Sequence, residues 1–199
     1  MLNGKYGNFM HNLIISDLDI KGLKKISKSK IHDDRGFFSE IYSNEVLLNI
    51  GFGDNILQIN HTYTNYKGTI RGIHYQMQPF SETKIITCLK GEIFDVIVDL
   101  RIKSPTYLKW QSIILSEQNN DSILIPKGFA HGFQTLCNDC ELLYLHDMPY
   151  RNDFENGIKF DDSIININWP IEISNLSERD KKLPNINSNF KRYSKISNF

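Results

Sequence analysis

From Ile56 onward apolar and polar residues alternate in short runs, and each run stops at a turn. The runs are Ile56 to Thr62, Thr69 to Tyr75, Lys84 to Leu89, Glu92 to Leu100, Tyr107 to Leu115, Asp121 to Ile125, Phe129 to Leu136 and Cys140 to Asp147. Lys90-Gly91, Ser104-Pro105 and Pro126-Lys127-Gly128 punctuate them. Strands at this spacing, without helical periodicity between them, predict an antiparallel sandwich or barrel, of which a jelly roll is the favoured form. Within Glu92 to Leu100, Ile93, Phe94, Val96, Ile97 and Val98 crowd together, as in a buried strand.

The flanks carry a different texture. Leu13 to Ile31 alternates like edge strands, and Asp33-Asp34-Arg35-Gly36 is a turn before a strand over Phe37 to Tyr42. Ser43 to Ile50 predicts a short helix, with Ser43 as N-cap and Gly51 just past its end. A second helix opens at Leu176 to Asp180, where Ser177 and Asp180 have capping-box spacing. Residues 1–12 are expected to be a mobile end and residues 186–199 a loose tail. The whole chain, 1–199, is expected to be a single domain.

Composition narrows the functional classes. Lysine plus arginine and aspartate plus glutamate number 23 each in 199 residues, so no global field favours nucleic acid or an anionic membrane. An anion site must therefore be local. No apolar stretch approaches the ~18 residues of a membrane span, and Met1 to Leu18 lacks the pattern of a secretory signal. The cytoplasm is the expected compartment. Cys137 and Cys140 have Cys-x-x-Cys spacing, with neither a helix N-terminus nor a second pair to support redox or zinc chemistry.

The most unusual stretch is Gly68-Thr-Ile-Arg-Gly-Ile-His-Tyr-Gln76. Strict alternation puts Arg71 and His74 on opposite faces. A bulge at Gly72 would bring both to one cavity, where imidazole beside guanidinium suits proton abstraction near an anionic ligand. The same residues also fit an ordinary strand with a surface arginine and a hydrogen-bonded histidine. A second run, Pro126-Lys-Gly-Phe-Ala-His131-Gly-Phe133, has the spacing Pro-x-Gly-x-x-His. That spacing resembles the second motif of the cupin superfamily. The first cupin motif reads His74-Tyr75-Gln76 here, one imidazole short of a metal set, so no metal is expected.

In order, the chain also carries Asp34-Arg35-Gly36-Phe37-Phe38, Gln58-x-Asn60-His61, Phe94-Asp95-Val96-x-Val98-Asp99-x-Arg101, Trp169-Pro170 and Leu176-Ser177-x-x-Asp180. With the two histidine motifs, these resemble the dTDP-4-dehydrorhamnose 3,5-epimerase family of cupins over about residues 20 to 185. The resemblance implies a mainly β, cupin-type jelly-roll barrel spanning about residues 13–185, with a few short helices. It also implies a cofactor-independent epimerase that inverts C3 and/or C5 of a nucleoside-diphosphate-linked 4-keto-6-deoxy sugar, for surface polysaccharide synthesis. By the same resemblance His74 is the base, Asp180 its carboxylate partner, Lys84 the cation near the enolate oxygen and Tyr144 the acid on the opposite face. His131 corresponds to a second active-site histidine. Arg35, Glu40, Gln58, Asn60 and Arg71 correspond to nucleotide and diphosphate contacts, and Tyr150 to a tyrosine near the sugar.

Many family members have two adjacent tyrosines where this chain has Pro149-Tyr150, which predicts unequal inversion at C3 and C5. The resemblance further implies a homodimer whose N-terminal strands, within Leu13 to Ile31, join the partner's sheet. Open alternatives are an epimerase of a GDP- or CDP-linked sugar, heptoses included, a keto-sugar isomerase, a metal-dependent cupin, and a nucleotide-sugar-binding cupin without catalysis.

Overall fold

The computed structural model describes residues 13–52, 55–187 and 190. The mobile end expected at 1–12 lies outside them. Among these residues fourteen strands, two short α-helices and one 3-10 turn (Asn152–Phe154) follow one another. The strands before the first helix are β1 (Leu13–Asp17), β2 (Lys24–Lys28), β3 (Ile31–Asp33) and β4 (Gly36–Phe38). Helix α1 (Asn44–Leu48) leads to β5 (Gln58–Thr64), β6 (Thr69–Gln76), β7 (Lys84–Lys90) and β8 (Glu92–Asp99). Next come β9 (Trp110–Ser116), β10 (Ser122–Ile125), β11 (Phe129–Thr135) and β12 (Cys140–His146). The chain then adds β13 (Glu155–Gly157), β14 (Asn175–Leu176) and α2 (Glu178–Lys181).

Two six-stranded sheets enclose the core. One runs β1-β2-β10-β7-β12-β5, the other β13-β6-β11-β8-β9 with β14 alongside β6, while β3 and β4 form a two-stranded sheet of their own. The architecture is mainly β, with the two facing sheets of a cupin-type jelly roll. Inward residues from both sheets meet in the middle: Ile86, Ile123, Ile125 and Leu142 from one, Ile93, Ile97, Leu115 and Phe133 from the other. Each such side chain, fully buried, contributes roughly 1.5–3 kcal/mol.

The outer faces are also covered, which is why β8 reads as a continuous apolar run. Val96 and Val98 pack with Ile73, Tyr75 and Ala130 under Ile158, Ile165 and Trp169 of the later chain. Ile26, Ile85, Leu124 and Leu145 pack under Leu47 and Phe52, around α1. Toward the cavity end the inward positions turn polar: Lys84 on β7, His131 on β11, and Tyr144 with His146 on β12.

Some expected elements differ in extent. The strand predicted from Phe37 stops at Phe38, and the one predicted from Tyr107 starts at Trp110. In the latter case Ser104 and Thr106 donate their hydroxyls to Asp99 Oδ2, each at 2.6 Å, and Leu108 adopts φ 61°. Those bonds fold the segment into turns before pairing begins. In α1, Ser43 caps through its carbonyl, which accepts from Leu47 N at 3.0 Å, and its side chain makes no capping hydrogen bond. The loose tail is partly corrected as well. Ile186 N donates to Asp162 Oδ2 at 2.6 Å, and Phe190 packs against Tyr75 with ring centroids 6.3 Å apart. Residues 188–189 and 191–199 lie outside the described part.

Candidate active site

A cavity of about 630 Å³ opens between the polar ends of the two sheets. The β6 wall is shaped by a bulge. His74 pairs with His131 and Arg71 with Phe133, so two residues, Gly72 and Ile73, face the single Gly132. Gly72 has φ 125°, and a Cβ there would sit 2.5 Å from Gly132 Cα, so only glycine fits. The extra residue resets the alternation, and Arg71 and His74 both line the cavity.

His74 Nε2 lies 2.7 Å from Asp180 Oδ1, and Asp180 Oδ2 accepts the Gly72 N–H at 3.3 Å. Burial works against ionisation of Asp180, but the hydrogen bond and charge of His74 outweigh it and hold the carboxyl below its usual range. Asp180 reaches this place from α2, whose N-cap Ser177 accepts Asp180 N at 3.0 Å. The predicted capping box is thus half made, because the Asp180 side chain turns to His74. Arg179 Nη2 lies across the same ring, 2.8 Å from Nε2 and 3.2 Å from Nδ1, while Nη1 holds Glu155 Oε2 at 2.7 Å.

The opposite wall belongs to the other sheet. Gln58 and Asn60 of β5, Lys84 of β7 and Tyr144 of β12 all face the cavity. Gln58 Nε2 donates to Asn60 Oδ1 at 2.9 Å, and Gln58 Oε1 accepts Tyr150 N at 2.7 Å. Burial pushes the Tyr144 phenol well above its ordinary range. His131 Nε2 stands 2.7 Å from Asp95 Oδ1, and burial raises the Asp95 carboxyl despite that histidine. Tyr150 lines the mouth and donates its hydroxyl to Glu155 Oε2 at 2.7 Å.

Nine of the eleven residues expected at the site therefore meet at one cavity: His74, Lys84, Tyr144, Asp180, Gln58, Asn60, Arg71, His131 and Tyr150. Arg35 and Glu40 do not. Arg35 sits at the tip of the β3–β4 hairpin, bound to Asp33 Oδ2 at 2.5 Å, and Glu40 follows that hairpin. Sequence reasoning missed Glu82, His146, Glu155 and Arg179, all of which line the cavity. Alternation from Tyr144 and from Lys84 would have pointed to the first two. The three cysteines gather elsewhere, around Gly91, with Cys137 Sγ 3.5 Å from Cys140 Sγ. Burial pushes Cys88 up to about 12 and Cys140 up to about 11, which disfavours the thiolate at both.

The family model described as dTDP-4-dehydrorhamnose 3,5-epimerase matches residues 17–188. The chain belongs to that family. An enzyme of that name from Sinorhizobium fredii is 38% identical over 90% of this chain and 93% of its own. A crystal structure of the Bacillus anthracis dTDP-4-dehydrorhamnose 3,5-epimerase, with TDP and PPi bound, superposes with a TM-score of 0.84 at 39% identity, covering 87% of this chain and 99% of that one. The Legionella pneumophila epimerase in complex with dTDP-4-keto-L-rhamnose gives 0.81 at 36%, covering 86% and 91%. Membership in this epimerase family makes the chain a carbohydrate isomerase. Among the described residues, no helix is long and apolar enough to cross a membrane.

Proposed function

We propose that this chain epimerises a dTDP-linked 4-keto-6-deoxy sugar at C3 and/or C5, without a cofactor, and that it does so as a cytoplasmic homodimer. The observation that carries the reading is the His74–Asp180 pair, 2.7 Å apart on one wall of a cavity whose other wall presents Lys84 and Tyr144. A carbonyl acidifies the C–H bonds beside it. His74, fixed by Asp180, removes such a proton, and the Lys84 ammonium stabilises the enolate oxygen. Tyr144, across the cavity, returns a proton to the other face. Arg71 supplies a guanidinium fork for the diphosphate. Arg179 would turn toward the same anion and uncover the edge of His74.

The dimer reading rests on the β3–β4 hairpin. Ile31, Phe37 and Phe38 are 46%, 58% and 57% exposed, beside the Arg35 that family resemblance assigns to the nucleotide. A second copy would cover that apolar surface and receive Arg35 and Glu40 at its own cavity. Among the described residues β1 is the outermost strand of its sheet, so the N-terminal strands and the hairpin both lie where a second copy could meet them.

Incubation in D2O with dTDP-, CDP- and GDP-linked 4-keto sugars, followed by NMR, tests the activity. Deuterium entering C3 or C5 of the dTDP sugar is the expected result. A substrate left fully protonated would refute the epimerase reading.

A further inference from the structure

Each histidine lining the cavity has a carboxylate at one ring nitrogen: His74 with Asp180, His131 with Asp95, and His146 with Glu82, at 2.7, 2.7 and 2.8 Å. The first two correspond to positions already assigned to the reaction. The third is unassigned, and its placement is that of a reacting group. His146 follows Tyr144 by two positions on β12, so both rings face the cavity, stacked with centroids 6.1 Å apart and planes 7° from parallel. β12 lies in the sheet facing the one that carries His74. His146 and His74 thus stand on opposite walls.

The two ring nitrogens of His146 have different partners, a carboxylate at one and a neutral amide at the other. Its Nδ1 faces Glu82 Oε2, while Glu82 Oε1 holds Lys84 Nζ at 2.8 Å. Burial disfavours the Glu82 carboxylate, but Lys84 and His146 overcome that and hold its carboxyl down at about 2. A fixed anion therefore stands behind Nδ1. Nε2 accepts from the Asn60 amide nitrogen at 3.3 Å, a bond to a neutral group that is given up when Nε2 carries a proton. Imidazole exchanges protons readily near neutral pH, whereas the buried phenol of Tyr144 gives its proton up reluctantly. Inversion at two ring carbons also asks for a donor within reach of each, and Pro149 brings no hydroxyl.

We propose that His146 is a second acid–base residue of the reaction, delivering a proton from Nε2 to the enolate on the face away from His74, with Glu82 as its positioning carboxylate. The proposal rests on the epimerase reading above. In the first half, the C–H bond beside the carbonyl breaks. Its proton goes to His74, its electron pair forms the C=C bond of the enolate, and the carbonyl π pair moves to the oxygen near Lys84. In the second half, at the ring carbon that Tyr144 does not serve, the enolate C=C pair binds the proton of the His146 imidazolium, the carbonyl re-forms and His146 is left neutral. After product leaves, solvent protonates His146 and takes the proton from His74, so no proton is consumed overall.

The test compares wild type, His146→Asn and His146→Gln on a dTDP-4-keto-6-deoxy sugar in D2O, reading exchange and inversion separately at C3 and C5. Asparagine keeps an N–H toward Glu82 and removes only the Nε2 function, so a merely structural histidine would tolerate it. The expected result is exchange within about threefold of wild type, which also reports folding and an intact His74, with inversion at one carbon reduced about 100-fold. Wild-type inversion in His146→Asn, or an equal fall of exchange and inversion in both variants, would overturn the proposal and leave the epimerase reading standing. Absence of exchange in wild type would overturn both.

Discussion

His74 and Asp180 lie 106 positions apart in the chain, yet Nε2 of one is 2.7 Å from Oδ1 of the other. The second carboxylate oxygen holds Gly72 N, so a single side chain fixes both the base and the bulge that aims it. Asp180→Asn should fold, with a melting temperature within a few degrees of wild type, and lose about 10²–10⁴-fold in kcat. A large stability loss with kcat retained would mean that Asp180 serves chiefly as a helix-capping residue.

Gly72→Ala should be far more damaging than Gly36→Ala. Both glycines have positive φ, 125° and 134°, but a Cβ at 72 would meet Gly132 Cα at 2.5 Å and His131 O at 2.9 Å, while nothing lies within 4 Å at 36. Backbone strain alone costs about 1–2 kcal/mol. The clash at 72 adds to it, for a total of about 3 kcal/mol or more. Urea unfolding midpoints of the two variants check the order.

Glu82 ties stability to acidic pH. Its carboxyl is held at about 2, against 4.5 as the ordinary value. The unfolded chain therefore binds the proton first as pH falls. The stabilisation is fully present above about 4.5 and drains away toward about 2. Removing the charge in Glu82→Gln should cost a few kcal/mol at pH 7, and the gap from wild type should close as pH drops through that window. Chemical denaturation at pH 7, 4 and 3 measures it; a gap independent of pH would contradict the assignment.

Arg35 acts across the dimer on the reading above, so inactive variants should complement. Arg35→Ala and His74→Ala, each made alone, should be nearly inactive. Mixed dimers contain one cavity with both residues intact, and co-expression should restore roughly a quarter of wild-type activity, as random pairing of subunits dictates. No recovery, or a monomeric mass at micromolar concentration, would count against the dimer.

The strands from β5 to β12 were legible because period-two alternation and turn residues are local signals. Gly72 left the segment open between an ordinary strand and a bulge, and the structure takes the bulge that puts Arg71 and His74 at one cavity. The Glu82–His146 pair was not legible, since it depends on β12 lying beside β7, a neighbour relation that no local pattern encodes. Asp180 was ambiguous for a different reason. Its spacing from Ser177 suits a cap, and its backbone N–H is indeed capped, but its side chain answers to a residue over a hundred positions away. On the dimer reading, Arg35 and Glu40 sit apart from the cavity because a second copy would receive them.

The later part of the chain covers Val96 and Val98 from outside and also carries Asp180. During translation both facing sheets can therefore assemble from residues already outside the ribosome while His74 still lacks its carboxylate. On the epimerase reading, aiming the base therefore waits on α2, which follows every strand of both facing sheets in the chain.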